Sequence, residues 1–142
     1  MRETSGSSAA DAATQQADPV EVTFNGISRA YEAFEEFAPV LRRSNLEPLF
    51  ELWISAPGGQ AMSMLRNGDN AWLMHLRFEG DRGSVTQGAH HGDETCAYTL
   101  ANGQVDEYPL SRCIPIEQCY EAIAHFFRNA GARYNLVTWR DS

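Results

Sequence analysis

The sequence predicts an α+β domain: an antiparallel sheet of about six or seven strands with two helices packed on one face. Three observations carry that expectation. Residues 112–139 hold an apolar stripe at the helical period, closed by a glycine and a strand-like run. Short alternating apolar runs, punctuated by Pro-Gly-Gly and Asn-Gly, fill the middle of the chain. A second periodic stretch precedes them, between Ser28 and Leu41.

Taken in order, residues 1–18 (MRETSGSSAADAATQQAD) lack bulky apolar side chains and are expected to form a disordered tail. Residues 19–142 form one domain. Val20–Phe24 alternates and reads as a strand ended by Asn25-Gly26. Ser28 then suits the N-cap of a helix with Tyr31, Phe34, Phe37, Ala38 and Leu41 on one face. Pro39 is expected to kink or restart it, because the ring clashes with the preceding turn.

Leu49–Ser55 and Ala61–Arg66 flank Pro57-Gly58-Gly59, a hairpin signal. Asn67-Gly68-Asp69 turns the chain into Ala71–Phe78, where Trp72, Met74, Leu76 and Phe78 are read as the core face. His75 falls on the other face and reads as a surface or rim histidine. Residues 79–94 are the least regular part, with Val85 in a short strand at most. Thr95–Ala101 and Gln104–Tyr108 flank Asn102-Gly103. A two-residue turn there predicts Leu100 opposite Val105, Thr99 opposite Asp106 and Tyr98 opposite Glu107, with Asp106 pointing to water.

The last stretch opens with Pro115, suited to the first helical turn. Ile116, Cys119, Tyr120, Ile123, Phe126 and Phe127 then form one stripe. Glu117 near the start and Arg128 near the end complement the helix dipole. Gly131 can adopt the left-handed conformation that stops a helix, and Leu136–Trp139 has strand composition. The structural core is read as Trp72, Pro115, Ile123, Phe126, Phe127, Gly131 and Trp139.

These same residues carry a resemblance. Ile114-Pro115, a helix ending in Phe126-Phe127, Gly131 two residues before Arg133, and Trp139 resemble family one of the immunity proteins of bacterial polymorphic toxin systems. Tyr134 departs from the family pattern, which has a proline there. The matching positions are structural. What the resemblance implies is a role: binding and neutralising a cognate toxin domain, with a nucleic-acid deaminase the implied toxin type. It hands over no catalytic or contact residue.

Composition narrows the partners. The 142 residues hold 11 Lys plus Arg, all arginine, against 19 Asp plus Glu, a net charge of -8. Like charges repel, so neither a nucleic-acid backbone nor an anionic membrane is the expected direct partner. Between Asp81 and Glu107 lie five carboxylates (Asp81, Asp93, Glu94, Asp106, Glu107) against Arg82 alone, a net of -4. That patch is read either as a solvated edge or as the surface that meets a basic toxin. A basic substrate groove would accept an acidic plug in place of phosphates.

Catalysis finds no support. There is no GxSxG elbow and no Cys/His signature, and a phosphate-cradling GxxxxGK[ST] is impossible without lysine. His90-His91-Gly92-Asp93-Glu94 is read as a solvated polar loop, because adjacent histidines diverge. No metal or cofactor is expected. Cys96, Cys113 and Cys119 lack CxxC spacing and fit a reducing compartment, and no apolar run follows Arg2, so a cytoplasmic protein is expected. The alternative is a secretion chaperone or adaptor that holds an exported effector in an apolar groove; a small enzyme ranks third.

Overall fold

The computed structural model describes residues 19–142, and the expected tail at 1–18 lies outside them. β1 (Val20–Phe24) buries Val20 and Val22 and exposes Glu21, the period of a strand with one packed face. Asn25 (φ 49°) and Gly26 (φ 86°) are both left-handed, the requirement of a two-residue hairpin turn. The chain therefore returns at once as β2 (Ile27–Tyr31), antiparallel to β1 with Phe24 opposite Ile27. The helix expected from Ser28 is corrected here: Ser28 and Tyr31 belong to this strand. α1 (Phe34–Arg43) starts later and buries Phe37, Ala38 and Leu41. It continues through Pro39, which sits on the exposed side, where water can serve the carbonyl that lost its N–H partner.

β3 (Leu49–Ser55), β4 (Ala61–Asn67) and β5 (Asn70–Leu76) form an antiparallel meander, with Leu52 opposite Met64 and Met64 opposite Leu73. β6 (Ser84–Thr86) pairs with β5, and the closing strand β9 (Trp139–Asp141) pairs with β6. The seven strands lie in the order β9-β6-β5-β4-β3-β1-β2. Leu136 is 82% exposed and precedes β9, so the strand expected at 136–139 begins only at Trp139.

β7 (Thr95–Thr99) and β8 (Val105–Pro109) stand apart as a two-stranded sheet. α2 (Ile116–Arg128) buries Cys119, Ala122, Ile123 and Phe126, while Phe127 is half-buried. Pro115 is exposed immediately before α2 and shapes its start rather than filling the core. The Gly131 N–H donates to the Phe126 carbonyl at 2.9 Å, with Ala130 (φ 53°) and Gly131 (φ 85°) both left-handed. No helix of the described residues is long and apolar enough to cross a membrane.

Both helices pack on one face of the seven-stranded sheet, over Val22, Phe50, Leu52, Ile54, Met62, Met64, Ala71 and Leu73. A second cluster occupies the other face: Leu65, Trp72 and Val85 lie under Tyr98, with Tyr108 and Leu100 at its margin. This overturns the expected core face of β5. Ala71, Leu73 and His75 point to the helices, His75 being only 3% exposed, while Trp72 is buried on the far side. Phe78 lies beyond the strand and is 52% exposed. Both faces of the central strands are covered, so apolar alternation does not tell one from the other.

Candidate partner-binding surface

The β7–β8 hairpin lies across one end of the sheet, on the face away from the helices. Side chains of the sheet, Asn67 and Glu51, hold it there. The Asn67 side-chain amide donates to the Ala97 carbonyl at 2.9 Å. Glu51 accepts from the Ala101 N–H at 2.9 Å through one oxygen and from the Trp53 indole at 3.0 Å through the other. Asn25 accepts from the Glu51 N–H at 3.0 Å, which ties the first hairpin turn to the same corner.

Beneath the hairpin, the Arg112 guanidinium lies 4.8 Å from the Trp72 ring centre and 5.3 Å from that of Tyr108. Burial lowers the Arg112 pKa, with Arg140 adding to the effect, and the two aromatic faces supply attraction in place of a carboxylate. The Tyr98 hydroxyl meets the Cys113 thiol at 3.3 Å. Burial raises the pKa of both groups, so both stay protonated at neutral pH. These anchors are a neutral hydroxyl–thiol contact and a stacked guanidinium.

The register differs from expectation by one residue. Thr99 faces Val105, Tyr98 faces Asp106 and Ala97 faces Glu107. The Leu100 N–H donates to the Gln104 carbonyl at 2.8 Å and the Gly103 N–H to the Leu100 carbonyl at 2.9 Å. The loop is thus three residues long, with Gly103 (φ 88°) as the left-handed bulge. A one-residue shift exchanges the two faces. Asp106 therefore lies on the sheet-facing side, half-buried, accepting from Gln104 at 2.7 Å and from the Tyr108 hydroxyl at 3.3 Å. Val105 turns outward and is 61% exposed, and Glu107 stands on that outer face, accepting from Thr95 at 2.7 Å.

The five acidic residues singled out in the sequence do not all meet. Asp93 and Glu94 are exposed where the chain enters β7, and Glu94 pairs with His90 at 2.6 Å. That hydrogen bond holds the Glu94 carboxyl below its usual pKa. Glu94 and Asp106 are separated by about 13 Å along the hairpin, at ~3.3 Å per residue from their positions opposite Leu110 and Tyr98. Asp81 is elsewhere, past the far end of β5. The Arg77 guanidinium grips it at 3.0 and 3.1 Å and the Arg77 N–H donates at 2.9 Å, which drives its pKa far below the carboxylate range.

The fold adds two carboxylates that sequence reasoning missed. Glu51 comes from β3 at the hairpin tip, and exposed Asp69 comes from the β4–β5 turn beside Asn70 and His90. Only strand pairing brings them there, so no sequence spacing could reveal them. No arginine or lysine lies between Arg82 and Arg112. Among the described residues, no three His, Cys, Asp or Glu side chains converge as a metal-binding set.

No curated protein matches the chain. A family model described as Immunity protein Imm1 matches residues 50–141, from β3 through the acidic hairpin and α2 to β9. On that match, covering well over half of its length, this chain belongs to the Imm1 family of immunity proteins.

Proposed function

We propose that the chain binds a cognate toxin through the acidic side of the β7–β8 hairpin and neutralises it by covering the toxin's substrate groove. The observation that carries this reading is that Asp93, Glu94, Asp106 and Glu107 all belong to one hairpin and its entry, with Glu51 and Asp69 alongside, while Arg112 is held beneath it against Trp72 and Tyr108. An enzyme that acts on nucleic acid presents a basic groove, and a rigid acidic edge competes there with phosphates. A nucleic-acid deaminase fits that partner chemistry and the immunity family together. The chain itself need catalyse nothing, because blockade requires only affinity.

The test is protection in cells that express the cognate toxin. Replacing Asp93 and Asp106 by Asn, and Glu94 and Glu107 by Gln, removes four charges with little change of shape. The variant is expected to accumulate as soluble folded protein yet fail to protect. Full protection by the variant would move the contact surface elsewhere. In parallel, the purified toxin should release ammonia from single-stranded nucleic acid and stop when this chain is added. A toxin with a different activity would remove the deaminase assignment and leave the binding surface to be judged separately.

A further inference from the structure

The β7–β8 hairpin is a two-stranded sheet with one face packed and one left bare among the described residues. On the packed face, Tyr98 and Tyr108 cover Leu65, Trp72 and Val85. Strand alternation then sends Thr95, Ala97, Thr99, Val105, Glu107 and Pro109 to the other face. Ala97 lies opposite Glu107 and Thr99 opposite Val105, so these two pairs stand side by side there. Val105 is 61% exposed, and Thr95, Ala97 and Glu107 are exposed with it.

This face has little freedom left to lose. Valine and threonine are stiff at χ1, and alanine and proline lose no rotamers on burial. The one long side chain, Glu107, has its carboxylate held by the Thr95 hydroxyl at 2.7 Å. Docking such a face costs less side-chain entropy than docking one covered by long, flexible residues. Neither strand contains a lysine or an arginine, so the charge this face presents is negative.

We propose that Val105 is the apolar anchor of the toxin contact: the bare face of the hairpin enters the toxin, Glu107 meets its basic groove, and Val105 seats on an apolar or aromatic platform beside that groove. The inference rests on the toxin-binding reading of the hairpin, and adds which face makes the contact and which side chain holds the complex together. Proteins that hold single-stranded nucleic acid set aromatic platforms for the bases along a basic track for the phosphates. Val105 and Glu107 are two residues apart on one face, about 7 Å at ~3.4 Å per residue. One strand therefore offers such a surface an apolar group and an anion at once. A desolvated apolar contact at the centre of an interface acts on dissociation, whereas the surrounding carboxylates act on association.

The test is dissociation of the full chain from the purified cognate toxin, read by surface plasmon resonance at several salt concentrations. Val105→Asp separates an apolar anchor from a purely electrostatic contact, because the added charge favours a basic surface and spoils an apolar one. It should speed dissociation at least ~10-fold without slowing association. Val105→Thr keeps the shape and the branched Cβ, should melt as the unmodified chain does, and should speed dissociation about fivefold at every salt concentration. Unchanged or slower dissociation of Val105→Asp would overturn the proposal. If that variant does not fold, unchanged dissociation of Val105→Thr overturns it instead. The variant with four carboxylates neutralised tells this failure from failure of the wider reading. If it associates slowly while both Val105 variants bind as the unmodified chain does, only the anchor falls. If all three match the unmodified chain, the hairpin is not the contact and both readings fall.

Discussion

Truncating Phe126 and truncating Phe127 should have unequal consequences, and the ratio reports the orientation of α2. Phe126 is fully buried in the main core, edge-on to His75. Phe126→Ala should cost about 4 kcal/mol, the middle of the range for a phenylalanine deleted from a packed interior. Phe127 is half-buried, stacked on Phe37 with ring centres 5.7 Å apart and edge-on to Phe34 at 5.8 Å. Losing half of a burial worth about 1.5–3 kcal/mol, together with these aromatic contacts, gives about 2 kcal/mol. At roughly 2–4 °C per kcal/mol, Tm should fall by about 8–16 °C for Phe126→Ala and about 4–8 °C for Phe127→Ala. Circular-dichroism melting with urea titration at 25 °C measures both. Protection in cells should fail through loss of folded protein, because α2 lies on the face away from the hairpin. Equal losses, or a larger loss for Phe127, would refute the orientation, since neighbouring helical residues point about 100° apart.

Gly131→Ala must hold a side chain at φ 85° and place its Cβ 2.7 Å from Gln60 Cβ and 2.9 Å from Ala56 Cβ. Strain plus overpacking should cost about 2–4 kcal/mol. Gly103→Ala has φ 88° but no neighbour within 4 Å, so only the strain of about 1–2 kcal/mol remains; urea unfolding of the two variants compares them directly. His75 makes stability depend on pH. Its folded pKa is depressed below the reference 6.5, so below that value the unfolded chain binds a proton that the native ring resists. Stability should therefore fall as pH drops from 6.5 toward the folded pKa, and His75→Gln should flatten that part of the Tm–pH curve. A slope unchanged by the substitution would show that the ring protonates freely in the fold.

The legible parts of this chain are those where local signal and tertiary demand coincide. α2 was readable because its stripe repeats over three turns and only one of its faces is buried. The first Asn-Gly makes the two-residue turn its sequence suggests, but then returns as β2, where a helix was expected. The second Asn-Gly makes a three-residue loop, because that register lays Tyr98 and Tyr108 onto Trp72 and Val85. Turn chemistry alone could not choose between registers one residue apart, and that choice exchanged the places of Val105 and Asp106. β5 misled for a different reason: Trp72 and Leu73 are both buried, on opposite faces, so hydrophobicity carried no direction. Within the candidate surface, Asp93, Glu94 and Glu107 were legible from charge density. Glu51 and Asp69 were not, since strands distant in the sequence bring them to the hairpin.

The central claim is that the acidic hairpin draws a basic toxin into place, and association kinetics test it most directly. Stopped-flow mixing with the toxin at several salt concentrations gives the rate for the unmodified chain and for the variant with Asp93, Glu94, Asp106 and Glu107 neutralised. The account predicts that the unmodified rate falls as salt rises, since screening acts within about 10 Å at 0.1 M. It predicts association at least ~10-fold slower for the variant at low salt, with the melting temperature nearly unchanged. A salt-independent rate, equal in the two proteins, would contradict it.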